Sequence, residues 1–225
     1  MKRGAIKQVE KTFAAHLPAD WLYSKGAFRR RFGDWLHNIG FNACRFDDTF
    51  EPVVSMGFLK DPVNVLGGFL GDGLKWDRHK VQRWVSLTEM ERDSKAVYQD
   101  MLRQFRPRID APIDIAEVKQ MLRKRANYFP HMYALCVMAA EIGDFDEARH
   151  WQQEVIKLIG DEYKTYDSSQ KALDDVQKVI DLMESPEALK NYLAGIVTAK
   201  LAEAKLSDLP DLAADLSKSK RRYIR

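Results

Sequence analysis

The chain has 225 residues, of which 45% are hydrophobic and 11% aromatic, so it can bury a sizeable core and is not disordered by composition. Its 36 basic and 33 acidic residues leave a formal net charge of +3, a mixed surface that gives little indication of a nucleic-acid partner. No apolar run approaches the roughly 20 residues that cross a bilayer, and no apolar signal core follows the charged first residues. We therefore expect a cytoplasmic protein without a membrane partner.

The first part of the chain has a helical pattern followed by a strand pattern. Apolar residues at helical spacing predict a helix over about residues 4–16, which Pro18 ends. Period-two alternation follows in three runs, separated by turn signals at Gly33-Asp34 and Asp47-Asp48. We expect three consecutive strands in an antiparallel meander with one buried face.

Residues 61–80 are rich in glycine and in turn signals, which predicts an irregular loop. The stretch from Gly67 to Gly73 lacks the lysine and hydroxyl pair of a phosphate-binding loop, and it does not fit the dinucleotide fingerprint.

The rest of the chain has the pattern of helices. Ser86 and Glu89 predict a capping box, and Pro107 is expected to end the helix that they begin. Further helices are separated by Ile142-Gly143-Asp144 and by Ser185-Pro186.

The predicted fold class is therefore α+β, with an N-terminal helix and a three-stranded antiparallel meander followed by a mainly helical C-terminal region. We expect a small α+β region at residues 1–85 and a helical region at 86–208, either separate or as one continuous domain. Residues 209–225 are expected to form a terminal turn and a basic tail.

Two resemblances to known families follow from these patterns. Residues 133–158 look like a single helical hairpin of the tetratricopeptide type, because small apolar residues precede Gly143-Asp144-Phe145 and Glu147-Ala148 follows on the second helix. Only one such unit is recognisable, whereas a repeat stack needs about three units to share a core.

The second resemblance covers roughly residues 4–60. Gly26-Ala27-Phe28-Arg29-Arg30, the run from Gly33 to Phe41 and the predicted strand from Val53 to Phe58 resemble an uncharacterised bacterial family built from a helix, an antiparallel meander and trailing helices. That family usually has a polar amide after the aromatic residue of its second strand, and Asn42 is the nearest counterpart. The resemblance implies a fold and no activity, although some such proteins look like those encoded beside toxins.

No pattern typical of catalysis, metal binding or cofactor binding stands out, so we expect none of the three. The five histidines show no metal-ligand spacing, and Cys44 and Cys136 are too far apart for a paired motif. His37 and Cys44 have opposite parity on one predicted strand, which makes them a poor catalytic pair.

The densest local cluster is the segment from Trp76 to Trp84, which combines tryptophan, arginine, lysine and histidine. Arginine and tryptophan concentrate binding energy at protein interfaces, and they also stack on bases and contact phosphates. The other interpretation is that both tryptophans pack against the sheet. The candidate partner-binding residues are Arg29, Arg31, Trp76, Arg78, His79, Arg83 and Trp84.

These features favour a non-enzymatic bacterial protein-binding module, either a toxin-neutralising (immunity) protein or a regulatory protein. A nuclease target would require acidic residues gathered on one side. The alternatives are a nucleic-acid-binding accessory protein, which needs a contiguous basic stripe, and an enzyme with an unrecognised site near residues 61–80, which needs a concave pocket containing His37 or His79. The sequence does not indicate an oligomeric state.

Overall fold

The computed structural model describes residues 3–44, 47–61, 70–75, 82–109, 114–162 and 167–213. It confirms the predicted α+β class, with an N-terminal helix, an antiparallel meander and a mainly helical C-terminal region. The elements are α1 (Arg3–Ala14), β1 (Leu22–Ser24), β2 (Ala27–Phe32), β3 (Trp35–Ala43), β4 (Thr49–Phe58), β5 (Leu70–Gly73), β6 (Val85–Ser86), α2 (Leu87–Ile109), α3 (Ile115–Lys124), α4 (Phe129–Glu141), α5 (Phe145–Glu162), α6 (Asp167–Leu182) and α7 (Pro186–Glu203).

The chain forms two compact units. The first contains the described parts of Met1–Gly57, Leu70–Pro112 and Asp208–Arg225, and the second contains those of Phe58–Phe69 and Ile113–Ser207. The sheet, α1 and α2 therefore belong to the first unit, and α3 to α7 belong to the second.

The sheet of the first unit has the strand order β1-β2-β3-β4-β5, with β6 paired to β4. The predicted three strands correspond to β2, β3 and β4, and the structure adds the short β1, β5 and β6. Four strand pairs are antiparallel: β1 with β2, β2 with β3, β4 with β5, and β4 with β6. The meander thus extends on both sides of the predicted hairpins.

The two faces of the sheet differ in chemistry because side chains alternate along a strand. Phe28 and Ile39 are register partners on β2 and β3, and both belong to a core that includes residues of α1 and α2. Phe13 of α1 stacks edge-on against Phe41 and Tyr98, with ring centroids 5.1 and 5.5 Å apart. This apolar face anchors both helices of the first unit.

Two boundary predictions are wrong. Part of the expected loop at 61–80 is strand β5, which pairs with β4 through Ser55–Gly71 and Val53–Gly73, whereas residues 62–69 and 76–81 lie outside the described part. Pro107 does not end α2, which continues to Ile109 after a non-helical residue at Phe105. A proline removes a helical hydrogen bond and disturbs the residues before it, so it is accommodated here by the kink.

The second unit is built around α4. Every residue from Pro130 to Ala140 is buried, because α3, α5, α6 and α7 all pack against this helix. A helix that is apolar all round has no solvent face and forms the centre of its unit. The predicted break at Gly143 is confirmed: its φ of 78° ends α4, and the Asp144 carboxylate accepts a hydrogen bond from the backbone N–H of Glu147, 3.1 Å away, at the start of α5.

Candidate functional site

The structure divides the sequence-predicted partner-binding residues into two groups. Trp76, Arg78 and His79 lie outside the described residues. Arg29, Arg31, Arg83 and Trp84 lie in the first unit and differ in how their side chains are used.

Arg83 forms ion pairs within the first unit. Its side chain is buried, with the residue 7% exposed, and its guanidinium donates to the carboxylates of Asp100 and of Glu89, the latter at 2.6 Å. Both acids lie on α2, so the arginine ties the segment before β6 to that helix. The neighbouring Trp84 is 38% exposed and keeps part of its ring in solvent.

Arg31 also has an acidic partner. Its Nε donates to the carbonyl of Gly33 over 2.9 Å, and its Nη2 lies 3.6 Å from the Asp211 carboxylate. Asp211 in turn accepts from the backbone N–H of Gly33 at 2.8 Å, which links residue 211 to the turn between β2 and β3.

Among the described residues, no carboxylate pairs with Arg29. It is 5% exposed, and its Nη1 donates to the Oδ1 of Asn38, its register partner on β3, over 3.3 Å. Arg29 Nε and Asn38 Nδ2 are both buried and have no hydrogen-bond partner among the described residues. Burial lowers the pKa of the Arg29 guanidinium, although arginine stays protonated at any physiological pH.

Further polar side chains lie on the Arg29 face of the sheet. Asn42 donates to Glu51 over 3.2 Å, which shows that the alternate residues of β3 that include Asn38 share a face with Glu51 and Ser55 of β4. Glu51 and Ser55 are 8% and 9% exposed. A Cβ at Gly73 would lie 1.8 Å from Glu51 Oε1, so the Glu51 side chain occupies the space that the glycine leaves open.

Comparison with protein families, curated proteins and solved structures gave no match.

A hollow of about 260 Å³ lies in the second unit, at the end where the α4–α5 turn meets the α6–α7 turn. We call it the hairpin-end hollow. Its apolar lining comes from Ala140, Phe145, Met183, Pro186 and Leu189, and its charged lining from Glu141 and Lys190. Ile142, between two lining residues, is 69% exposed and is the most exposed large apolar residue described.

Acidic residues gather around the hairpin-end hollow. Carboxylates of the lining, or of its immediate neighbours in sequence, outnumber nearby bases five to three. The acids are Glu141, Asp144, Asp146, Glu184 and Glu187, and the bases are Lys60, Arg149 and Lys190. Lys60 pairs with Glu141 at 2.5 Å, and Arg149 lies 3.5 Å from Glu184. Of these charged residues only Glu141 and Lys190 line the hollow, but the segments that form it are net acidic although the whole chain is slightly basic.

Two further ionisable residues of the second unit have shifted pKa values. Lys200 is 7% exposed and donates to the backbone carbonyls of Phe58 and Asp61, and burial lowers its pKa. Burial also raises the pKa of Asp175, whose carboxylate accepts from the Tyr192 hydroxyl over 3.2 Å.

Two residues that could take part in catalysis, His37 and Cys136, are buried. His37 is fully buried, and burial raises the pKa of Cys136 to about 12, so that thiol is protonated and unreactive near neutral pH. Within the described ranges no three His, Cys, Asp or Glu side chains are grouped to hold a metal ion. No described helix combines the length and hydrophobicity needed to cross a bilayer.

Sequence reasoning named Arg29 but missed Asn38 and the hairpin-end hollow. The alternation of side chains along β3 could have predicted which face of the sheet carries Asn38. It could not have predicted that Asn38 is the register partner of Arg29. For the hollow, the available signals were the helix stop at Gly143 and the helix start at Pro186, since acidic residues are frequent in both turns.

Proposed function

We propose that this chain is a non-enzymatic protein-binding module, and that the hairpin-end hollow receives an apolar side chain of a basic partner protein. The observation that carries the proposal is an apolar hollow formed by two chain segments that are net acidic. Binding interfaces place buried apolar anchors at the centre of a polar rim, and charge complementarity directs the encounter.

The chemistry of the hollow defines the partner. Five apolar residues line it, and the exposed Ile142 extends the apolar surface beyond it. The acids around it favour a partner that carries lysine or arginine next to the inserted side chain. A nucleic-acid-degrading toxin is basic on its substrate-binding face, so the toxin-neutralising role predicted from the sequence is the specific form of this proposal.

The nucleic-acid alternative has less support. Within the described residues, Arg31 and Arg83 are paired with carboxylates, and Arg29 is buried, so these three candidates do not form a contiguous exposed stripe. The resemblance to the uncharacterised bacterial family stays a prediction and indicates no activity of its own.

The proposal is tested by capturing partners from the native lysate with tagged protein and with two variants. Ile142→Glu adds a charge at the hollow, whereas Ile156→Glu makes the same change at an exposed isoleucine of α5 that does not line it. We expect a nuclease-resistant partner that is retained by wild type and Ile156→Glu and is at least tenfold depleted with Ile142→Glu, since central contacts dominate affinity.

Equal recovery of the partner with both variants would show that the hollow is not the binding site. Loss of every partner on nuclease treatment would favour the nucleic-acid alternative. Circular dichroism of the two variants checks that each is folded, which matters for Ile156 because it is only 40% exposed.

A further inference from the structure

We propose that Arg29 and Asn38 form an enclosed binding site for a small oxyanion, a phosphate or a carboxylate group. This site belongs to the first unit and does not depend on the protein-binding proposal, which concerns the second.

Arg29 is a buried cation without a counter-ion among the described residues. Removing a guanidinium from water is unfavourable by several kcal/mol unless a negative group or sufficient hydrogen bonds compensate. The other arginines of the same strand show the usual solution, because Arg30 pairs with Asp20 at 2.7 Å and Arg31 pairs with Asp211. Arg29 instead contacts the neutral amide of Asn38.

The free donors match the geometry of an oxyanion. The bond to Asn38 uses Nη1, and the opposite edge of the guanidinium, formed by Nε and Nη2, is the planar fork to which carboxylates and phosphates bind with two oxygens. Nε on that edge has no partner in the described structure, and neither does Asn38 Nδ2. Both unsatisfied atoms are donors, which selects an acceptor ligand.

The surroundings set the size of the ligand. Arg29 and Asn38 are 5% and 4% exposed, so a ligand that reaches their free donors has to be a small anion rather than a polymer. Fixed, dry donors interact with an anion more strongly than the same groups in water. The bound oxyanion would supply the negative charge, because none of the described carboxylates pairs with Arg29.

The test is calorimetric titration of the full chain with inorganic phosphate and, separately, with acetate, in chloride buffer of matched ionic strength. We expect saturable binding of at least one anion, weakened about tenfold to a hundredfold in Arg29→Gln, because charge-assisted hydrogen bonds contribute this much. Arg92→Gln is the control, since it removes one charge at an exposed position on α2. Binding of phosphate alone or of acetate alone identifies which oxyanion the site takes.

Asn38→Asp keeps the test decisive if Arg29→Gln fails to fold. The new carboxylate would lie beside Arg29 Nη1 and act as a built-in anion, so it is expected to abolish binding of the added anion while raising the midpoint of thermal unfolding in chloride. Absence of saturable binding to wild type, or equal binding by wild type and Asn38→Asp, would overturn the proposal.

Discussion

At the scale of single residues, the buried arginines of this protein differ in whether a carboxylate of the described chain pairs with them. Arg83 is as buried as Arg29, but two carboxylates of α2 face it. In the sequence both arginines lie near aromatic residues, and nothing local tells the paired arginine from the unpaired one. The acidic partners of Arg83 lie six and seventeen positions away along the chain. The described surroundings of Arg29 contain no such partner. Pairing across a fold is a tertiary property.

Asp175 gives a pH dependence that can be measured. Burial raises its pKa above the ordinary value of 3.8, so the folded state holds this proton more tightly than the unfolded chain does. A raised pKa means that the stabilising contribution is present below about pH 3.8 and is lost as the pH rises through the folded-state value.

We therefore expect Asp175→Asn to unfold at a higher temperature than wild type near pH 7, with the difference shrinking toward pH 3. The asparagine keeps an oxygen that can accept from the Tyr192 hydroxyl. Thermal unfolding of both proteins across this pH range is the measurement. Asp174→Asn, which changes an exposed neighbour on the same helix, serves as the control, and a pH-independent difference would contradict the expectation.

At the scale of elements, regular periodicity predicted the helices and the central strands, and local sequence failed where an element depends on its neighbours. Strand β5 contains two glycines, a composition typical of a loop, yet it pairs with β4. Gly73 leaves room there for the Glu51 side chain. The α4–α5 turn was predictable, because Gly143 and Asp144 are helix-ending and helix-starting residues whose effect is local.

Two glycines of the second unit provide a matched pair. Gly143 has a φ of 78°, whereas Gly160 lies within α5, and a Cβ at either position would meet no atom within 4 Å. Gly143→Ala is expected to lower the free energy of unfolding by about 1 kcal/mol, because only the backbone conformation opposes it. Gly160→Ala is expected to raise it by about 0.5–1 kcal/mol through helix propensity.

Denaturant unfolding of both variants measures these changes. Destabilisation of similar size by the two alanines would mean that the left-handed conformation at Gly143 is not what distinguishes them.

At the scale of the whole molecule, the α+β class followed from the sequence, whereas the membership of the two units did not. Residues 58–61 belong to the unit of α3 to α7, where the Lys200 ammonium binds two of their carbonyls. Residues 208–213 belong to the unit of the sheet, where Asp211 meets Gly33, 178 positions earlier. No change in composition indicates which unit these two segments belong to, because their membership depends on contacts between distant parts of the chain.

Asp211 tests how much such a distant contact contributes. Asp211→Ala removes the hydrogen bonds from the N–H groups of Gly33 and Ala213, at 2.8 and 3.0 Å, together with the pair with Arg31. We expect a loss of about 1–3 kcal/mol in the free energy of unfolding, because donors are left without their acceptor. Asp208→Ala, at an exposed position three residues earlier, is expected to change it by less than about 0.5 kcal/mol.

Both values come from urea unfolding curves. If the two alanine variants lose equal stability, the contact of Asp211 with the β2–β3 turn contributes nothing specific.

The enclosure of α4 has a consequence for how this protein can evolve. Because every side chain from Pro130 to Ala140 is buried, each substitution there changes the volume that four other helices must fill. The outward faces of those helices are free of this constraint and can drift in sequence. Distant relatives should therefore be recognisable by the pattern of side-chain sizes along this one segment long after their surfaces have diverged.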